Sequence, residues 1–197
     1  MNDLLLVAGS YAIGSLSAGY YLVRLLKGLD IRQEGSGSTC ARNVSRMLGT
    51  AGFVLTGFLD GLKGGGAVWL ARTLASAEWV VAASILAVVC GHIWPIQLRF
   101  RGGKGIAPAI GALLIYDPLI TLLSAIVFVL ALVGLRNVTL GGLAAVVVFP
   151  VVAFGLVRPL EELVLTTALA VLILFAHRMN LREEFAGLQK SHKESNS

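Results

Sequence analysis

The residues most able to do chemistry lie in one fifteen-residue stretch, Gly91–Gly105 (GHIWPIQLRFRGGKG). It holds His92, Pro95, Arg99, Arg101, Lys104 and four glycines. Gly102 and Gly103 directly precede Lys104, and Gly105 follows it. Glycine tolerates positive φ, so successive N–H groups can converge on one concavity. An ammonium and two guanidiniums beside such a concavity suit a phosphate or another anion. The pattern is not a Walker A loop, because glycine rather than Ser or Thr follows Lys104. The same residues would also serve as a plain basic loop at a membrane surface.

Three other groups could join it. Arg32–Arg46 (RQEGSGSTCARNVSR) puts Ser36, Gly37, Ser38 and Thr39 in a Gly/Ser turn ahead of Arg42, Asn43 and Arg46. A helix N-terminus behind such a turn is a good anion seat, although short Gly/Ser runs also serve as linkers. Asp60 and Lys63 stand at i and i+3 inside an apolar segment, on one helix face and opposite in charge. Charges at that depth cost roughly 2.5–3.5 kcal/mol on insertion scales, so they face a bundle interior, as an ion pair or toward a substrate. His177 and Asn180 share a face in HRMNLREEFAGLQ, where the histidine suits a base, a phosphate ligand or a plain interfacial role.

The elements that must position these residues are membrane helices. Of 197 residues, 56% are hydrophobic and 14% charged. Soluble domains carry roughly 25% charged residues. The chain therefore reads as all-α, a polytopic membrane helix bundle forming one domain over 1–197, with a polar tail, 188–197, expected to be disordered. So little polar surface argues against nucleic-acid binding. Apolar runs long enough to span, or nearly so, are expected at 4–25, 50–71, 79–98, 119–135, 140–157 and 160–176. The short segment 106–116 ends at Asp117–Pro118, where proline disfavours helix at the preceding residue.

Loop charge decides whether that segment is a span of its own. With seven transmembrane helices, one of them short, and the N-terminus outside, thirteen Lys and Arg fall inside and only Arg72 and Arg158 outside. Merging 106–135 into one span spoils this split, so the positive-inside rule favours seven. The C-terminus is then cytoplasmic, and the three polar stretches share the cytoplasmic face. The N-terminus lacks a basic region ahead of its apolar run, the flank order of a retained first helix rather than a cleaved signal. Cys40 and Cys90 form no CxxC pair, so neither a metal nor a disulfide is indicated.

In order and spacing, these motifs resemble the bacterial PlsY-type glycerol-3-phosphate acyltransferases over nearly the whole chain. The family's G-H-x-x-P and F-x-G-G-K-G are matched by Gly91, His92, Pro95, Phe100, Gly102, Gly103, Lys104 and Gly105. Its D-x-x-K-G is matched from Asp60 and Lys63, and its H-R-x-N at His177, Arg178 and Asn180. Its S-G-N-x-G-A-T-N followed by arginine is matched at Ser36, Gly37, Ala41, Asn43 and Arg46. Here Ser38 replaces asparagine, Cys40 glycine and Arg42 threonine. Gly187 also matches, while Glu183 and Gln189 stand where the family tends to have arginine and glutamate.

The resemblance implies a multi-pass enzyme of the bacterial plasma (inner) membrane, with no cofactor and no metal. It would move a fatty acyl group from acyl phosphate to the 1-position of glycerol 3-phosphate, giving lysophosphatidic acid for phospholipid synthesis. Its partners would be those two substrates and the bilayer, with a functional link to the enzyme that makes acyl phosphate. Ser36, His92, Lys104, His177 and Asn180 are the expected catalytic group. Gly37, Ser38, Thr39, Asn43, Arg46, Asp60, Lys63, Gly102, Gly103 and Gly105 are the expected substrate-binding group. The turn at Ser36–Thr39 would take the acyl-phosphate head, and Lys104, Arg46 and the Gly102–Gly103 backbone the glycerol phosphate. Acyltransferases that use thioesters resemble one another in an H-x-x-x-x-D pair; here Gln97, Arg182 and Ser197 follow the three histidines at that distance. The alternative reading is a carrier or channel for phosphorylated metabolites, which basic loops and intramembrane charges would also suit.

Overall fold

The structure, a computed structural model, describes residues 3–179 and 181. Asn180, Glu183, Gly187, Gln189 and the tail 188–197 lie outside the described residues.

The first apolar run forms α1 (Asp3–Ser15) and α2 (Ala18–Lys27), interrupted at Leu16–Ser17. Next comes α3 (Ala41–Leu74), whose 34 residues are broken at Gly49 by φ 65° and ψ −161°. The turns before Gly49 are a short helix carrying Arg42, Asn43 and Arg46, and the part after it is the second span. The remaining helices are α4 (Glu78–Ile93), α5 (Ile106–Tyr116), α6 (Pro118–Leu135), α7 (Val138–Gly155) and α8 (Leu160–Ala176). The expected break between the fifth and sixth helices is present. Asp117 caps α6 by accepting from the N–H groups of Leu119 and Ile120, and Pro118 occupies the first helical position.

With α1 and α2 counted as one crossing, the described helices make seven passes, and α5 is the short one. Asp3–Lys27, Glu78–Leu98, Pro118–Leu135 and Val138–Gly155 are each long and apolar enough to cross a bilayer. The second pass carries Asp60 and Lys63 midway, and α8 has 17 residues. The outward surface is apolar: Val133 is 72% and Phe154 73% exposed. Such a surface would be unstable in water and is at home among lipid chains.

The buried core runs through Ile85, Val88, Leu113, Ile120, Phe149, Leu169 and Ile173. Small residues set the helix spacing. A Cβ at Gly64 would overlap the Pro108 carbonyl, and one at Gly111 the Gly61 carbonyl, so α3 and α5 meet backbone to backbone. At the end of the bundle away from the polar loops, Arg158 pairs with Asp117 at 2.6 Å. There too, Arg72 donates to the carbonyls of Ile115 (2.7 Å) and Tyr116 (3.0 Å), closing the C-terminus of α5.

Candidate active site

Two of the three polar stretches are bonded directly to each other. The Thr39 N–H and the Ser38 hydroxyl both donate to the Gly102 carbonyl, at 3.2 and 3.3 Å. Arg32 reaches the Leu98 carbonyl at 3.0 Å. The third stretch arrives with His177 at the end of α8. Together they close one end of a cavity of about 260 Å³. Its polar wall holds Ser36, Asn43, Arg46, Asp60, His92, Lys104 and His177. Its apolar wall holds Phe53, Ile106, Ile110, Phe128, Val138 and Ala145.

Among the expected residues, Ser36, Asn43, Arg46, Asp60, His92, Lys104, Gly105 and His177 line this cavity. Gly37, Ser38, Thr39, Lys63, Gly102 and Gly103 do not, and their hydrogen bonds explain why. The Ser36 N–H donates to Asn43 Oδ1 at 3.1 Å, Gly37 to the Glu34 carbonyl at 2.9 Å, and Cys40 to Ser38 Oγ at 3.3 Å. The N–H groups of Gly102 and Gly103 go to the carbonyls of Ile93 (3.2 Å) and His92 (2.9 Å). The two glycine-rich turns therefore spend these N–H groups on their own shape. Asn43 is the organiser of the first turn, since its Nδ2 also donates to Glu34 and Ser38 carbonyls at 2.9 Å each.

Asp60, Lys63 and His92 form a buried trio. Lys63 Nζ lies 2.9 Å from Asp60 Oδ1, 2.9 Å from His92 Nδ1 and 2.7 Å from the Leu16 carbonyl. An ammonium can only donate, so His92 Nδ1 accepts and a neutral His92 carries its proton on Nε2. Asp60 Oδ1 stands 3.6 Å from His92 Nδ1, beyond hydrogen-bond reach. The His92 ring also lies under Gly103, where a Cβ would collide with the imidazole. His92 thus supports the glycine loop through both its ring and its carbonyl.

His177 is differently placed. It is buried, and its Nδ1 lies 2.9 Å from the Ile173 carbonyl. A carbonyl only accepts, so Nδ1 holds the proton and Nε2 keeps a lone pair. Burial pushes its pKa down to about 4; the bond to Ile173 opposes this and the Lys104 charge adds to it. At neutral pH His177 is an uncharged acceptor beside a cation.

Features that sequence reasoning missed complete the site. Arg42 lines the cavity and donates to Thr139 Oγ1 at 2.5 Å, joining α3 to the start of α7. Its basic charge was legible, but nothing in sequence pairs residues 42 and 139. The N-terminus of α5 also faces the cavity through Gly105, Ile106 and Ala107. Its cap, Gly105 at φ 89°, supplies no side-chain acceptor. The first-turn N–H groups of a helix lack intrahelical partners, so this end offers donors and a partial positive charge. Gly105 was expected among the substrate-binding residues, but its place as the cap of α5 was not legible in the sequence. No cluster of three or more His, Cys, Asp or Glu among the described residues is placed to hold a metal ion.

The sequence profile of the family described as glycerol-3-phosphate acyltransferase matches residues 4–187. The chain belongs to that family. A glycerol-3-phosphate acyltransferase 1 of Desulfitobacterium hafniense (strain Y51) is 44% identical over 183 residues, covering 93% of this chain and 91% of that one. A glycerol-3-phosphate acyltransferase of Synechococcus sp. (strain JA-2-3B'a(2-13)) is 42% identical, covering 95% and 93%. Among solved structures, the glycerol 3-phosphate form of PlsY (YgiH), an integral membrane glycerol 3-phosphate acyltransferase, superposes with a TM-score of 0.89 at 34% identity. It covers 95% of this chain and 94% of that one. A lysophosphatidic acid form of PlsY gives 0.86 at 33% identity. Membership in the glycerol-3-phosphate acyltransferase family favours the transferase reading over a carrier or channel. It also makes this a multi-pass membrane protein, in keeping with the lipid-facing surface described above.

Proposed function

We propose that this member of the glycerol-3-phosphate acyltransferase family takes its acyl group from acyl phosphate and passes it to the 1-hydroxyl of glycerol 3-phosphate. The products are lysophosphatidic acid and inorganic phosphate. One observation carries the reading: a single cavity joins a cationic end, with Arg46, Lys104 and the α5 N-terminus, to an apolar wall. That is the shape needed by one small anion and one acyl chain with an anionic head.

Lys104 and Arg46 hold the phosphate of glycerol 3-phosphate. The acyl chain lies along Phe53, Ile110 and Phe128. The 1-hydroxyl oxygen attacks the acyl carbonyl, and the bond to the phosphate oxygen breaks. The hydroxyl proton ends on the departing phosphate, either directly or by way of His177 Nε2, which is an acceptor at neutral pH. Phosphate is a good leaving group, so positioning and anion stabilisation supply most of the acceleration. Donors at the α5 N-terminus are suited to the charge that develops on the carbonyl oxygen. Ser36 contributes its hydroxyl as a ligand rather than as an acylated nucleophile, and Asp60, Lys63 and His92 keep the loop above them in place. Asn180 is assigned to glycerol 3-phosphate with His177. The catalytic face is cytoplasmic, with the N-terminus outside, in a bacterial inner membrane. There the chain works beside the enzyme that supplies acyl phosphate.

The test uses purified protein, radiolabelled glycerol 3-phosphate and three competing donors: palmitoyl phosphate, palmitoyl-coenzyme A and palmitoyl carrier protein. Label enters lysophosphatidic acid from palmitoyl phosphate without added metal. Label entering from a thioester, and not from the acyl phosphate, overturns the proposal.

A further inference from the structure

Beside the catalytic cavity opens a second cleft, of about 370 Å³, which shares Arg42, Phe53 and Val138 with it. Ser45, Thr50, Arg136 and Asn137 form the rest of its wall. Two arginines from distant parts of the chain therefore line one space, and Arg42 also reaches Thr139. Arg42 stands in the short helix before Gly49, and Arg136 caps the end of α6 at φ 50°. The Thr50 hydroxyl adds a polar partner, Ser45 donates to the Arg42 carbonyl at 2.8 Å, and Phe53 and Val138 continue the apolar wall of the first cavity. Guanidiniums grip phosphate oxygens in pairs, and a phosphomonoester dianion is the anion that best uses two of them.

We propose that this cleft is a second phosphate seat, which takes the phosphomonoester head of the lysophosphatidic acid product as it leaves Lys104. The proposal rests on the acyl transfer described above. The shared apolar wall favours a lipid phosphate over a free one, because the acyl chain can stay in its slot while the head swings from one seat to the other. Arg42 stands on the border between the two seats, and Arg136 belongs to the second alone. A product held there blocks the acyl slot but leaves the glycerol-phosphate seat at Lys104 open. Its inhibition is therefore noncompetitive toward glycerol 3-phosphate.

The experiment measures inhibition of the detergent-purified full chain by lysophosphatidic acid, with inorganic phosphate as the second arm. Arg136→Gln keeps the turnover rate and the KM for glycerol 3-phosphate but weakens the noncompetitive inhibition by about tenfold or more, the usual effect of losing one hydrogen bond to a charged group. Thr50→Glu, which brings a carboxylate into the cleft, does the same and serves if Arg136→Gln fails to fold. Unchanged inhibition in the folded variants overturns the seat. Inhibition by inorganic phosphate alone, with the same dependence on Arg136, overturns its assignment to a lipid head. Protection of the protein against thermal unfolding by lysophosphatidic acid is read without turnover. It is lost in the variants whether or not acyl phosphate proves to be the donor, so failure of the donor assay and failure of the seat are separate results.

Discussion

A buried neutral histidine leaves a signature in the pH dependence of stability, and His177 is the place to look for it. Its pKa is about 4 in the folded protein, against an ordinary value of 6.5. Above pH 6.5 both the folded and the unfolded chain hold it neutral, so it contributes no pH dependence. As pH falls, the unfolded chain takes up a proton that the folded chain refuses, and stability drops until about pH 4. The gap between those two values corresponds to about 3 kcal/mol, an order-of-magnitude figure. The assay is unfolding in detergent at a series of pH values, for wild type and for His177→Gln. Carboxylates titrate alike in both proteins, so the difference between the curves isolates the histidine. Wild type should lose about 3 kcal/mol more than the variant between pH 6.5 and 4. Lys104→Ala should shrink that loss, because the neighbouring charge helps to keep His177 neutral. Parallel curves for wild type and His177→Gln would refute the reasoning, and with it the assignment of His177 as an uncharged acceptor.

Other outcomes follow from the same geometry. Lys104→Ala should lower kcat/KM by about 10- to 150-fold, the worth of a hydrogen bond to a charged group, with expression intact; near-normal kinetics would remove Lys104 from the site. Asp60→Asn or Lys63→Met alone should destabilise by roughly 3–5 kcal/mol, and the double variant by less than their sum, because no lone buried charge remains. A double variant that folds but is inactive would give Asp60, which lines the cavity, a direct role. Gly103→Ala should cut activity sharply, since its methyl group meets the His92 ring, and wild-type rates there would contradict the tight packing of the loop. In a Cys40→Ala, Cys90→Ala background, cysteines at exposed positions 36 and 101 should label from the cytoplasm only, and one at 161 from outside; the reverse pattern would overturn the proposed orientation.

Much of the architecture was legible because its signals are strong and local. Apolar run length, loop charge and the Asp117–Pro118 break suffice for seven passes, and polar stretches at one end of a bundle suffice for the region of the candidate cavity. What sequence did not reveal was how the backbone groups are used. Glycine-rich turns look like open nests, yet the N–H groups of Ser36, Gly37, Gly102 and Gly103 are consumed within the turns themselves. Their acceptors include Asn43 and the end of α4, and such pairings across the fold have no period or spacing to betray them. The same holds for the bond between Arg42 and Thr139. Asp60 and Lys63 read as an ion pair or as substrate ligands, because charge inside a membrane demands a reason; the pair is present, and the further contacts of Lys63 with His92 and Leu16 had no signal in the sequence.

The brevity of α5 has a mechanical consequence. Eleven residues at 1.5 Å each reach only ~16 Å, roughly half of a hydrocarbon layer about 30 Å thick. Its end at Tyr116, away from the polar loops, is held by Arg72, so its N-terminus lies short of the level that the longer helices reach. Beside so short a helix, water and lipid headgroups would dip inward and thin the bilayer locally. In the proposed reaction, a lipid donor would then not have to be lifted out of its leaflet. The membrane would be drawn down to the site of that transfer, and the cost of exposing an acyl chain to water would be avoided.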